Sequence, residues 1–223
     1  MLLARAFTGF VFLFMVIAVA YFGLAGTLRD ARAWTTLAVF FGCAGVITVW
    51  LWFHDKALFE RRVKAGPGQE PDRTQNIIQA LAGVVFLATF AVPGLDRRLR
   101  WSHAPDAVCL AGDAMIAVGF AIVFLTFREN TFTSGVIELA EGQRVIDSGP
   151  YAVVRHPMYG GAIILVAGIP LALGSWWGLI PAALLVPVMV WRLVREEAFL
   201  AANLAGYADY RHRVRYRLAP IVW

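Results

Sequence analysis

Four stretches of the chain run for about twenty residues with almost no charge: residues 6–24, 34–53, 77–95 and 107–127, the last containing only Asp113. Twenty helical residues span about 30 Å, the thickness of a bilayer's hydrocarbon core, so each stretch predicts a transmembrane helix. The first has no small-residue cleavage site followed by polar sequence, and a second span follows almost at once. It is therefore read as a helix and not as a signal peptide. Residues 159–191 also lack Asp, Glu, Lys, Arg and His, but Gly168, Pro170, Gly174, Ser175, Pro181 and Pro187 interrupt them. One helix of that length would run about 50 Å, and two complete spans need about 40 residues, so a short helical hairpin fits best. Its bend is expected at Gly174-Ser175-Trp176-Trp177, where Gly and Ser permit the turn and the paired Trp side chains suit an interface.

The pattern predicts an all-α integral membrane protein with about six transmembrane helices, the last two a short hairpin, followed by a cytosolic C-terminal helical tail. Residues 1–127 form a four-helix transmembrane part giving lipid access, and residues 128–223 carry the polar chemistry. Composition agrees: 60% of positions are hydrophobic and 16% charged, and the mean hydropathy is +0.66. Such a balance excludes a soluble globule and a disordered chain. Two cysteines, Cys43 and Cys109, both in apolar runs, exclude a disulfide scaffold and read as small buried hydrophobes. No metal-ligand spacing is present.

Charge adds direction to this topology. With both termini in the cytosol, the inner segments carry 15 Lys and Arg and the outer loops 5, as the positive-inside rule prefers. The net charge of +5 follows from cations flanking spans, so membrane lipid and not nucleic acid is the expected partner. The segment at residues 64–73, KAGPGQEPDR, reads as a flexible cytosolic loop.

Two segments hold the candidate chemistry. Residues 147–161, DSGPYAVVRHPMYGG, combine turn formers with Tyr151, Arg155, His156 and Tyr159. Pro157 disfavours helix at His156, which places an extended imidazole at a helix N-terminus, a site for an anionic or polar ligand or an interfacial anchor. In the second segment, from Trp191 onward, Arg192 and Glu196 are four apart and able to pair on one helical face. Arg192 directly follows an apolar arm, where a charge requires a partner or ligand. Tyr207 and Tyr210 then lead into Arg211, Arg213, Arg215 and Arg217, a stripe whose default reading is attachment to anionic head groups.

The ordered combination of GPYAVVRHPMYGG, an apolar hairpin, RxxxEExxL at residues 192–200 and GYADYRHRVRYRLAPIVW closely resembles the isoprenylcysteine carboxyl methyltransferase family and its phospholipid methyltransferase relatives. Residues 130–223 carry the resemblance. It implies transfer of a methyl group from S-adenosylmethionine, at the cytosolic membrane face, to a lipophilic or prenylated acceptor, foremost an isoprenylcysteine carboxylate. By position it implies cofactor contacts at Gln143, Arg144, Val145, Ile146, Tyr151, His156, Pro157, Met158, Tyr159 and Glu196. It implies substrate contact at Arg192, so that Arg192 and Glu196 form the catalytic pair. Phospholipid amines and small thiols are alternative acceptors. Membrane sterol and steroid reductases, which use NADPH, resemble the same C-terminal pattern less fully, and a membrane scaffold without activity is the non-enzyme alternative. The acceptor and the oligomeric state are left open by the sequence.

Overall fold

The computed structural model describes residues 2–64, 68, 70, 72–221 and 223. Among them are eight α-helices, one 3-10 turn and no strand. Four helices are long and apolar enough to cross a membrane: α1 (Leu2–Ala25), α2 (Ala31–His54), α4 (Arg73–Leu99) and α5 (Asp106–Glu129). These make the chain an integral membrane protein and coincide with the four uncharged stretches. Each helix outruns its apolar stretch because polar flanks continue it. Asp72, for example, caps α4 by accepting from the Thr74 amide at 2.9 Å.

Between α2 and α4 lies α3 (Lys56–Lys64), a nine-residue helix that the sequence reading left unassigned. Leu58 and Phe59 bury it against Leu51 and Phe127. The segment at residues 64–73, expected to be a flexible loop, lies partly outside the described residues, namely 65–67, 69 and 71. Within it Glu70 is buried, which corrects the expectation at that position: its carboxylate is held by α4 and α7, as described below.

The hairpin consists of α6 (Pro157–Ala172), with Pro157 as its first residue, and α7 (Leu179–Asn203). The chain turns between them at Gly174, whose φ of 77° is open to glycine at no steric cost. Sixteen residues make α6 about 24 Å long. A last helix, α8 (Tyr207–Arg213), follows Gly206.

Helices α5 and α6 pack closest, along glycines seven residues apart on each: Gly112 and Gly119 facing Gly161 and Gly168. A Cβ on Gly119 would stand 2.6 Å from the Gly161 carbonyl oxygen, and one on Gly168 2.6 Å from that of Gly112. Backbones approach because no side chain stands between them, the usual basis of helix pairing in hydrocarbon. The α5–α6 contact sets the height of the α6 N-terminus, and with it His156 and Tyr159. The main core, including Ile17, Tyr21, Phe40, Phe90, Ile116 and Ile169, fills the space among α1, α2, α4, α5 and α6.

The short connections at residues 26–30, 100–105 and 173–178 gather at one end of the bundle. There the buried Asp96 accepts from the Ser102 amide at 2.7 Å, from Ser102 Oγ and from Ser175 Oγ. Asp30 accepts from Tyr21 Oη at 2.7 Å and pairs with Arg97 at 2.6 Å. The long connection 130–156, α8 and the C-terminal segment gather at the other end.

Candidate active site

The loop leaving α5 is fixed by its own side chains. Asn130 Oδ1 accepts from the Phe132 amide at 3.0 Å, and its Nδ2 donates to Tyr151 Oη at 3.1 Å. Gln143 Oε1 accepts from the Ala140 amide at 2.9 Å. Tyr151 lies in the 3-10 turn Gly149–Ala152, entered through Gly149 at φ 54°. Burial raises the Tyr151 phenol well above its ordinary range, so it stays protonated.

Beneath the turn, Glu197 organises the C-terminal segment. Its carboxylate, almost fully buried, accepts from Arg155 Nε at 2.6 Å and from Arg217 Nε at 2.8 Å. Burial alone would raise this carboxyl; the His156 imidazole and the Arg217 and Arg155 guanidiniums outweigh it and hold the group well below the usual carboxylate range. Arg155 also donates to the carbonyls of Val214 and Arg215, both at 2.7 Å. The amides of Arg155 and His156 bond to the carbonyls of Tyr216 and Arg217, both at 2.9 Å. The C-terminal arginines therefore do more than face head groups. Arg217 is part of a buried network, and Arg213 pairs with Asp147 at 2.6 Å.

A cavity of about 470 Å3 opens between the loop, α3, α4, α6, α7 and α8. Every residue marked by the resemblance lines it except Pro157: Gln143, Arg144, Val145, Ile146, Tyr151, His156, Met158, Tyr159, Arg192 and Glu196. Pro157 starts α6 and acts on the site through the backbone. The expected Arg192–Glu196 pairing is replaced by two longer-range contacts. Arg192 turns to Glu70, at 2.8 Å, and donates to the Gly135 carbonyl at 2.8 Å and to Gln75 Oε1 at 3.3 Å. Glu196 accepts from Tyr159 Oη at 2.7 Å. Glu70 outcompetes Glu196 because it is buried and further fixed by Gln79 Nε2 at 2.7 Å and the Ile137 amide at 2.9 Å.

Two polar atoms on this cavity's lining residues are buried without a hydrogen-bond partner: His156 Nε2 and Tyr207 Oη. His156 Nε2 stands 3.8 Å from Glu197 Oε1, beyond bonding distance. Burial, and after it the Glu197 and Glu196 carboxylates, raises the Tyr207 phenol, so its hydroxyl remains a donor. An unmet buried donor is expensive in an isolated protein and is satisfied once a ligand supplies an acceptor. Val145, Leu200 and Leu204 pack beside Tyr207 and Tyr210 and give this wall an apolar surface. A ligand with an apolar or aromatic part and several polar atoms fits a wall of this chemistry. Among the described residues no group of three His, Cys, Asp or Glu side chains is placed to hold a metal ion.

The sequence reading missed Arg62, Glu70, Gln79 and Asn130, and took Tyr207 and Tyr210 only as part of the tail. The spacing of the two tyrosines offered a signal, because residues three apart on a helix share a face. Arg62, Glu70 and Gln79 offered none, since their role depends on contacts with residues more than 50 positions away.

The chain thus combines spanning helices with a cavity at one end, walled by a loop, α3, α4, α6, α7 and α8. Residues 108–205 match the family model for phospholipid methyltransferases, a family that includes the isoprenylcysteine-type membrane enzymes. The match covers a little under half of the chain, bears out the resemblance read from the sequence where the two overlap, over residues 130–205, and points to a membrane methyltransferase. No curated protein matches the chain. The match runs from α5 through the end of α7 and leaves Arg62, Glu70, Gln79, Tyr207 and Tyr210 outside it.

Proposed function

We propose that the protein transfers a methyl group from S-adenosylmethionine to a lipophilic acceptor at the cytosolic membrane face, foremost to the carboxylate of an isoprenylcysteine-type substrate. The observation that carries this reading is the cavity itself: it gathers the resemblance-marked residues from three separated segments around two unmet hydrogen-bonding atoms. The excess of Lys and Arg in the segments at this end supports a cytosolic position for it.

The donor would be held by Gln143–Ile146, Tyr151, His156, Met158 and Tyr159, with Glu196 positioned through its bond from Tyr159. Bound there, S-adenosylmethionine would supply an electrophilic methyl group to the acceptor carboxylate, giving an ester and a thioether without a proton to move. The protein's part is alignment and exclusion of water, and fixed orientation contributes about 7–11 kcal/mol in favourable cases. A carboxylate is already ionised at neutral pH, so the site works without a base. Arg192, neutralised and oriented by Glu70, presents a fixed dipole-rich wall to the acceptor.

Calorimetry on detergent-purified protein tests the donor site. S-adenosylmethionine is expected to bind saturably and to be weakened by Glu196→Ala and His156→Ala. Transfer of labelled methyl to N-acetyl-S-farnesylcysteine, released again by base, tests the acceptor. Binding of NADPH without S-adenosylmethionine would replace this reading with a reductase.

A further inference from the structure

Four arginines line the cavity, and three are accounted for. Arg155 is paired with Glu197, Arg192 with Glu70, and Arg144 is exposed. Arg62, on α3, is different. Its guanidinium lies 4.8 Å from the centre of the Phe127 ring and donates one long hydrogen bond, 3.4 Å, to the Ser134 carbonyl. Among the described residues no carboxylate stands within ion-pair distance of it. Burial, with Arg192 nearby, disfavours its charged form, yet guanidinium keeps its proton in proteins. A half-buried cation in that position is stabilised by an anion brought from outside.

The wall around Arg62 indicates whose anion it is. Gln79 and Ala82 of α4 complete it, and the same helix exposes Ile77, Leu81 and Val84 on its outer face, the surface that meets lipid. Residues assigned to the donor come from the loop, α6 and α7, on other elements. Resting on the methyltransferase reading, we propose that Arg62 binds the acidic group, carboxylate or phosphate, of a lipophilic acceptor and so selects acidic over neutral acceptors. Arg192 already commits Nη1 and Nη2 to Glu70, Gly135 and Gln75 and Arg144 is exposed, whereas Arg62 is half-buried with one long hydrogen bond and most of its five N–H groups free for an anion. A planar fork suits either oxyanion.

The test measures equilibrium binding to the full chain in detergent of N-acetyl-S-farnesylcysteine, its carboxamide and dodecyl phosphate, with S-adenosylmethionine binding measured in parallel. The wild type is expected to bind one of the acids about tenfold or more tightly than the carboxamide. Arg62→Met is expected to abolish that preference while leaving carboxamide and S-adenosylmethionine binding within about twofold, and Arg62→Lys to keep part of it. Retained donor binding shows that the variant folds, and Arg62→Lys serves should Arg62→Met fail to. Preference for carboxylate or for phosphate distinguishes the two sources of the anion. Equal binding of acids and carboxamide by the wild type, or a preference that survives Arg62→Met, overturns the proposal. Loss of S-adenosylmethionine binding in both Arg62 variants, with their melting temperatures unchanged, also overturns it, by placing Arg62 on the donor. Should the wild type show the Arg62-dependent preference but bind no S-adenosylmethionine, the methyltransferase reading falls and the anion site stands.

Discussion

Asp30 and Asp96 at one end of the bundle, and Glu70 and Glu197 at the other, are all almost completely buried, yet their surroundings differ. Around Asp30 and Asp96, short connections deliver as many donors as the carboxylates require: Tyr21, Arg97, Ser102 and Ser175. A cavity of about 710 Å3 lies there too, and none of the side chains lining it has a buried polar atom without a partner. Around Glu70 and Glu197 the carboxylates are equally well met, but His156 Nε2, Tyr207 Oη and the Arg62 guanidinium are left over at the cavity. Neither a buried carboxylate nor a cavity marks a site by itself. Unmet polar atoms together with a cavity do: His156 Nε2 and Tyr207 Oη belong to residues lining one, whereas Thr36 Oγ1 and Asp113 Oδ1, buried without a partner toward the opposite end, belong to residues lining neither cavity.

The strongest way to break this contrast is at Glu197. Glu197→Ala strands the buried Arg155 and releases Arg217, and losing one partner of a buried pair costs about 3–5 kcal/mol. Because Arg155 also holds Val214 and Arg215, S-adenosylmethionine binding is expected to vanish along with the stability, read by thermal unfolding and calorimetry. The effect carries a pH signature. Since the folded-state carboxyl sits below its unfolded value, its stabilisation is complete above the unfolded value of about 4.3 and is lost as pH falls below it. The gap in melting temperature between wild type and Glu197→Gln should be flat from about pH 8 to 5.5 and narrow below about pH 4. A gap that instead narrows near neutrality would mean that Glu197 is not held as a carboxylate.

At the opposite end, Asp96→Ala removes the acceptor of three donors and is expected to destabilise by about 1–3 kcal/mol. S-adenosylmethionine affinity should stay within about twofold, because Asp96 serves only to tie the 100–105 and 173–178 connections together. A large loss of donor binding in this variant would erase the distinction between the ends.

These outcomes bear on what could be read before the fold was known. The four spans, the bend at Gly174 and the start of α6 at Pro157 were legible because hydropathy, glycine and proline act locally. The order of Tyr151, His156, Tyr159, Arg192 and Glu196 was legible through resemblance to a family. Pairing was not. Arg192 has a carboxylate four residues away and uses Glu70 instead, from a segment that reads as a loop, and Glu197, which the sequence reading did not single out, anchors the C-terminal segment. α3 escaped notice because nine residues with four cations carry too short an apolar face to show periodicity, although Leu58 and Phe59 bury it. Burial of charge is decided by which helices meet, and that information is spread over the whole chain.

The smallest expected effect is the sharpest test of the unmet donors. Tyr207→Phe removes one oxygen and keeps the ring that packs on Val145, Leu200 and Leu204. Were the hydroxyl structural, its loss would cost stability. Because it is buried and bonds to nothing in the described protein, Tyr207→Phe should leave the melting temperature unchanged or slightly raised, since a buried polar group without a partner is itself destabilising. With donor bound, the same hydroxyl supplies a hydrogen bond worth about 1 kcal/mol, so S-adenosylmethionine affinity should fall about fivefold. Stability and affinity then move independently, which a general loosening of α8 would not produce. A variant that melts earlier while binding the donor as well as the wild type would assign Tyr207 to packing and leave His156 Nε2 as the remaining unmet buried polar atom among the cavity's described lining residues.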